Sequence, residues 1–214
     1  MAAAGGAVGL GHVGRRPQVA VDPQGDAMVV STEGPGLVKA AYRPAGARRF
    51  TTPEIVATAG GVQGLQVAMD RGGDATVIWQ QTSPSSGHTV VMAAVRRRGD
   101  RFGAAQQLSD DGYDAARLAL AVAEGGAVIA AWLRWDPQLW DGWPYMGEAI
   151  EAAARDTGDS RFSDPTVISD GRPKLMCAVA PQVAMDPAGD AVVLWNQNPP
   201  ADDWGCALQA NTRP

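Results

Sequence analysis

The sequence predicts an all-β protein, and more specifically a β-propeller of four four-stranded sheets. Three observations support this fold class. One segment recurs four times along the 214 residues, each copy reads as short strands joined by tight turns, and glycine and proline are frequent, with 26 and 15 occurrences. Self-similarity at a regular spacing is typical of propellers and solenoids. Frequent glycine and proline residues separate the short strands of all-β folds.

The segment shared by all four copies predicts two strands, a and b, joined by a tight turn. The first copy reads VDPQGDAMVVS from Val21, and equivalent segments begin at Met69, Val122 and Met185. The turn glycine suits a backbone with positive φ, and the aspartate at the turn entry can accept a hydrogen bond from the backbone. Two aspartates supply too few oxygens for calcium. Six aspartates are therefore predicted as structural turn residues: Asp22, Asp26, Asp70, Asp74, Asp186 and Asp190.

Two further strands, c and d, complete each predicted propeller blade. Strand c reads V-x-A-A-x-R in the first two copies, and strand d follows a phenylalanine in the first three. The fourth copy stops after strand c, so residues 7–10 are predicted to supply its strand d and close the ring. The alternative is an arc or half of a larger propeller. The predicted blades of this single domain, 1–214, are approximately 17–60, 65–112, 117–171 and 181–214 plus 7–10.

The combined pattern, P-Q-V-A-V-D-x-x-G-D-A-x-x-x-W, then V-x-A-A-x-R, then F-x-x-P-x-x-V, spans residues 7–214. It resembles a repeat of bacterial, especially actinobacterial, proteins similar to sialidase-like or Trp-Asp-like β-propellers. The resemblance implies an extracellular location, although the first residues carry no clear signal peptide. The sialidase Asp-box, S-x-D-x-G-x-T-W, is absent. Arginines recur once per blade, which predicts a structural role for them: Arg43, Arg96, Arg155 and Arg213.

The copies differ most in the loops between strands b and c, which should ring one face of the propeller. Insertions in repeat proteins collect on one face, often the binding face. The loop of blade 3 is the longest and is rich in tryptophan. These aromatic side chains either bind a ligand or fold the loop onto the propeller as a small core. The candidate ligand-binding residues are Trp135, Trp140, Trp143, Tyr145, Trp204, Asp136, Asp141 and His88.

Two functions are consistent with this face, and the sequence leaves open whether the protein is an enzyme. The favoured one is a non-catalytic module that binds a glycan or a protein. The alternative is a glycoside hydrolase or lyase of sialidase-like fold. Glycosidases need two carboxyl groups roughly 5–9.5 Å apart. The loops offer four candidates: Asp136, Asp141, Asp202 and Asp203.

Other classes of partner are not expected. The formal net charge is −5 and the basic residues form no large cluster, which disfavours nucleic-acid binding. No apolar run is long enough to span a membrane. The two histidines, His12 and His88, belong to no metal-ligand motif, so neither metal nor cofactor is expected. Cys177 and Cys206 could form a disulfide in an exported protein. The chain is expected to be a monomer or a homodimer.

Overall fold

The computed structural model describes residues 15–136, 148–169, 180–197 and 207–213. All regular structure in these ranges is β-strand, arranged in four antiparallel sheets that we call blades 1 to 4. Blades 1 and 2 contain β1 (Arg15–Val21), β2 (Ala27–Glu33), β3 (Leu37–Arg43), β4 (Glu54–Thr58), β5 (Gly60–Met69), β6 (Ala75–Thr82), β7 (Thr89–Arg96) and β8 (Gln106–Gln107).

Blade 3 also has four strands, whereas three strands of blade 4 are described. They are β9 (Asp114–Val122), β10 (Val128–Trp135), β11 (Ala149–Arg155), β12 (Thr166–Val167), β13 (Gln182–Met185), β14 (Ala191–Gln197) and β15 (Ala207–Arg213). Within every sheet the strands lie side by side in chain order. The predicted all-β class is therefore confirmed, and its repeated antiparallel sheet is the unit that the sequence copies indicated.

The turns between strands a and b are held by their first aspartate. The Oδ1 atom of Asp22 accepts the backbone N–H groups of Gln24 and Asp26, both at 2.9 Å. Asp186 accepts three such N–H groups in blade 4. The turn glycines have positive φ, for example 90° at Gly25, where residues with a Cβ atom are strained. These aspartates thus satisfy the backbone of the turn.

The hydrophobic core lies between successive blades rather than within one of them. Three clusters of buried side chains join blades 1 and 2, blades 2 and 3, and blades 3 and 4. Each cluster contains one of the tryptophans at the end of strand b, Trp79, Trp132 and Trp195. Since both faces of a central blade are covered, its strands read as nearly continuous apolar runs.

The inner strands of successive blades contact one another in the order β1, β5, β9 and β13. Within the described ranges no comparable contact joins β13 to β1. Residues 7–10, the predicted closing strand, lie outside those ranges. Ring closure therefore stays a prediction, as does the alternative of an arc of a larger propeller.

Each of the first three inner strands contains an irregularity in its pairing with strand b. In β5 the shift lies between Gln63 and Gln66, and in β9 it lies opposite Trp132, between the pairs formed by Ala131 and Leu133. Such bulges bend a strand and redirect its side chains. They place part of each inner strand out of the regular alternation, at the end of the sheet where the b–c loops lie.

Candidate functional site

Three of the predicted ligand-binding residues lie in the described ranges. Trp135 ends β10, Asp136 follows it, and His88 directly precedes β7. All three are partly buried at the end of the sheets that carries the b–c loops, which we call the loop face. The other predicted residues lie outside the described ranges: His12, Trp140, Asp141, Trp143, Tyr145, Cys177, Asp202, Asp203, Trp204 and Cys206.

The strand register of blade 3 brings a further carboxyl group to Trp135. Trp135 pairs with Asp114 of β9 on one side. On the other side Ala149 pairs with Arg134, so Glu148, the residue before Ala149, lies next to Trp135. Neighbouring strands are roughly 5 Å apart. Asp114, Trp135 and Glu148 therefore form a row across the loop face of blade 3.

Glu148 is the carboxyl group of this face with the most unusual environment. Its Oε2 atom is buried and has no hydrogen-bond partner among the described residues. Burial raises the pKa of Glu148 from 4.5 to about 7, while the positive charge of Arg117 acts in the opposite direction. A carboxyl group with such a pKa carries a proton for a large part of the time at neutral pH. Groups of this kind act as general acids in enzymes.

Arg117 lies in the bulge of the inner strand β9. Its φ is 55°, and it is the one residue other than glycine with positive φ in the described part of the chain. The equivalent residue of blade 2 is Gly64, with φ of 60°. An arginine in this left-handed region is strained, which is a frequent property of functional sites. The bulge exposes the Arg117 side chain at a position from which its charge reaches Glu148.

A buried polar network holds the end of β10 in place. The Nε1 atom of Trp132 donates to Oε2 of Glu151 at 2.9 Å, and Arg134 donates to Oε1 of the same carboxylate at 3.0 Å. The guanidinium of Arg134 also stacks on the ring of Tyr113, 4.3 Å from its centre. Since Trp135 follows Arg134 directly, this network fixes the backbone from which Trp135 and Asp136 project.

Two aspartates next to this row are held by donors from blade 2. Asp114 accepts the N–H of Thr89 at 2.5 Å, and its other oxygen lies 3.6 Å from Nδ1 of His88. Hydrogen bonds from the hydroxyls of Ser83, Ser85 and Ser86 lower the pKa of Asp111. These donors stabilise the ionised form of Asp111, in contrast to the environment of Glu148. His88 thus contacts a carboxylate that joins blades 2 and 3.

The opposite face carries the a–b turns, and its charged groups have partners. Asp26 accepts hydrogen bonds from Tyr42 at 2.6 Å and from the Ala45 N–H at 2.6 Å, and Arg98 of blade 2 lies 2.9 Å away. The hydrogen bond from Tyr42 is the largest of the effects that lower the pKa of Asp26. The recurring arginine of blade 3, Arg155, donates to the carbonyl of Gly126 in the turn of its own blade. This face is therefore occupied by structural contacts.

No cluster of three or more histidine, cysteine, aspartate or glutamate side chains in the described ranges could hold a metal ion. No helix found there is long and apolar enough to cross a membrane.

Comparisons with known proteins identify similar folds but no family. No protein-family model matches the sequence, and no curated protein matches it either. Solved structures do match. The hydrazine synthase of Kuenenia stuttgartiensis has a TM-score of 0.54 at 13% identity over 84% of this chain and 51% of that one. A Penicillium chrysogenum α-L-arabinanase gives 0.51 at 10% identity over 92% and 62%. A Hadza microbial sialidase gives 0.53 at 14% identity over 92% and 43%.

These matches support a sialidase-like propeller fold, and the chain spans about half the length of the structures that it matches. They also correct the favoured function. The prediction of a non-catalytic binding propeller is wrong, because the similar structures include enzymes that act on glycosides, an arabinanase and a sialidase. They favour the predicted alternative, a glycoside hydrolase. At 10–14% identity the likeness itself establishes only the fold.

The sequence analysis missed Glu148 and Arg117, although the repeat offered a signal for both. Glu148 occupies a position that is Gly36 in blade 1 and Thr89 in blade 2. Blade 3 is therefore the copy, of these three, that places an ionisable residue there. Arg117 likewise stands where blade 2 has a glycine. Residues that depart from the repeat in one blade are candidates for function rather than for the scaffold.

Proposed function

We propose that the protein is a glycoside hydrolase whose active site lies on the loop face of blade 3, with Glu148 as the general acid. The observation that carries this proposal is the environment of the Glu148 carboxyl group, whose Oε2 atom is buried without a hydrogen-bond partner in the described ranges. Its pKa of about 7 keeps a proton available at neutral pH. Perturbed carboxyl groups of this kind concentrate at functional sites.

Asp136 is the proposed second carboxylate. It follows Trp135 on β10, the strand next to the one that Glu148 precedes, and adjacent strands lie roughly 5 Å apart. Retaining glycosidases place their two carboxyl groups about 5–5.5 Å apart, and inverting ones place them about 6.5–9.5 Å apart. In either mechanism Glu148 gives its proton to the oxygen of the leaving sugar as the glycosidic bond breaks. Asp136 then attacks the anomeric carbon or activates the water that does so.

Trp135 and Arg117 are proposed to bind the sugar. Trp135 lies between the two carboxyl groups in the strand register, and an indole face can stack on the apolar face of a sugar ring. The exposed guanidinium of Arg117 offers several N–H donors for sugar oxygens. A glycoside substrate also fits the extracellular location that the sequence resemblance implies.

The test is hydrolysis of a panel of chromogenic glycosides that includes an α-L-arabinofuranoside and a sialoside. Glu148→Gln removes the proton donor, and Asp136→Asn removes the second carboxylate. We expect each substitution to lower kcat/KM by about 100-fold or more, since general acid–base catalysis contributes about 10²–10⁴-fold.

The matched control is Glu124→Gln, which changes an exposed carboxylate on the opposite face that pairs with Arg71. This variant should keep the wild-type rate. Wild-type protein that hydrolyses none of the glycosides, or a Glu148→Gln variant as active as the control, would contradict the proposal.

A further inference from the structure

The blades of this chain pack through two distinct faces. We call the side of a blade that packs on the preceding blade its leading face, and the side that packs on the following blade its trailing face. On the leading faces of blades 2, 3 and 4, the inner strand contributes two apolar residues to the core clusters: Val67 and Met69, Leu120 and Val122, Val183 and Met185. Each interface between blades is thus built from the same pair of strand positions.

The trailing faces follow the same rule. Met28 and Val30 of β2 are buried beneath blade 2, and Ile129 and Ala131 of β10 are buried beneath blade 4. Ile78 of β6 is buried beneath blade 3. Each of these residues is 0–4% exposed. Equivalent positions therefore become inaccessible to water wherever another blade follows.

At the two ends of the series of blades the same positions are open. On the leading face of blade 1, Val19 and Val21 are 63% and 58% exposed, although their equivalents in the other blades pack on a neighbour. On the trailing face of blade 4, Val192 is 43% exposed. Further out on the leading face of blade 1, Val29 and Ala41 are buried, so the exposed apolar surface is concentrated at the inner strand.

The open faces are complementary by construction, because blade 1 presents a leading face and blade 4 presents a trailing face. We propose that two copies of this chain associate head to tail, with blade 1 of each copy packing on blade 4 of the other. The new contacts would continue the interface that already joins blades 1 to 4. Two identical head-to-tail contacts close into a ring when the rotation between the copies is half a turn. The result is a ring of eight blades, within the range of 4–8 that is typical of propellers.

The primary test is the mass of the purified full chain in solution, measured by light scattering over a range of micromolar concentrations. We expect twice the chain mass of 22.2 kDa. Val21→Arg and Val192→Glu each place a charge in one of the two faces. Because an unpaired buried charge is costly, each variant should weaken association by about tenfold or more. Val167→Lys is the matched control, since Val167 is 41% exposed on the outer strand of blade 3 and lies in neither open face.

Mixing the two variants distinguishes head-to-tail association from a symmetric contact. In the mixed dimer one interface brings the two introduced charges, which are opposite in sign, against each other, and the other interface is wild type on both sides. The dimer should therefore reform, and this recovery also shows that both variants are folded. A monomeric wild type, larger open-ended species, equal loss in the Val167→Lys control, or no recovery on mixing would each overturn the proposal.

Discussion

Glu148 differs from the neighbouring carboxylates in what surrounds it rather than in residue type. Asp114 and Asp111 accept hydrogen bonds from blade 2, whereas Oε2 of Glu148 is buried without such a donor among the described residues. A carboxylate without donors in a dry environment is unstable relative to its protonated form. The chemistry of this position is therefore set by packing.

Sequence reasoning predicted the residues of the scaffold better than those of the candidate site. The roles of Asp22 and Gly25 follow from local turn chemistry, which needs only a few neighbouring residues. The burial of Glu148 depends instead on strands that are brought together by the fold of blade 3. Asp136 and Trp135 were predicted because they begin an aromatic loop, while Glu148 begins an ordinary strand.

Replacing Glu148 should change the pH dependence of stability in a defined direction. The pKa of Glu148 is about 7 in the folded chain against 4.5 for an ordinary glutamate. Between these values the unfolded chain ionises first, so the free energy of unfolding falls as pH rises through this window and stays low above it. One pKa unit corresponds to about 1.4 kcal/mol, and solvent screening of the partly exposed side chain reduces the total. We therefore expect Glu148→Gln to be more stable than wild type by about 2–3 kcal/mol at pH 8 and nearly equal at pH 4.

The measurement is urea unfolding of both proteins between pH 4 and pH 8. Glu124→Gln serves again as the control, because Glu124 is exposed. Parallel pH profiles for wild type and Glu148→Gln would show that burial does not hold the Glu148 proton. A variant that gains stability at pH 8 while losing hydrolytic activity would be typical of a functional residue kept at the expense of stability.

At the scale of the element, the inner-strand bulge connects the scaffold to the candidate site. Strands a, b and c could be predicted because their apolar runs and Asp-Gly turns recur along the chain. The bulges could not, since they arise where an inner strand adjusts to the adjacent blade. In blade 2 the Nε2 atom of Gln80 donates to the carbonyl of Ala115 in blade 3, across the bulge that contains Gly64. In blade 3 the equivalent bulge presents Arg117.

Substitutions in the two bulges should have opposite effects. In Gly64→Ala the new Cβ atom would lie 2.0 Å from Oε1 of the buried Gln80, so the clash adds to the strain of a positive φ. We expect a loss of about 2–4 kcal/mol, which combines backbone strain of about 1 kcal/mol with a disturbed buried hydrogen bond. Arg117→Gly relieves strain and should be neutral or stabilising by up to about 1 kcal/mol.

Gly87→Ala separates strain from the clash. Gly87 has φ of 80°, but nothing lies within 4 Å of the position that a Cβ atom would occupy there, so only the strain remains. Its cost in urea unfolding should be about 1 kcal/mol. If Gly64→Ala costs no more than Gly87→Ala, then Gln80 moves aside freely and the bulge is not held by its hydrogen bond to blade 3.

At the scale of the whole molecule, the blades form a linear series in which each one packs mainly on its neighbours. The repeat predicted this architecture, because a sheet with two apolar faces must be covered on both sides. It could not decide how the series ends. The exposed Val19, Val21 and Val192 show that closure depends on surfaces at the two ends, which a single repeat does not describe.

A linear series predicts that stability differs between internal and terminal blades. Blades 2 and 3 are covered on both faces, whereas the trailing face of blade 4 is open at Val192. In repeat proteins stability is approximately a sum of intrinsic terms and contacts with neighbours. The amides of β14 should therefore exchange with deuterium faster than those of β6 and β10 in the Val192→Glu variant, which we expect to be monomeric. Mass spectrometry of peptides from the three strands measures these rates. Equal protection in the monomeric variant would mean that the four blades unfold as a single cooperative unit.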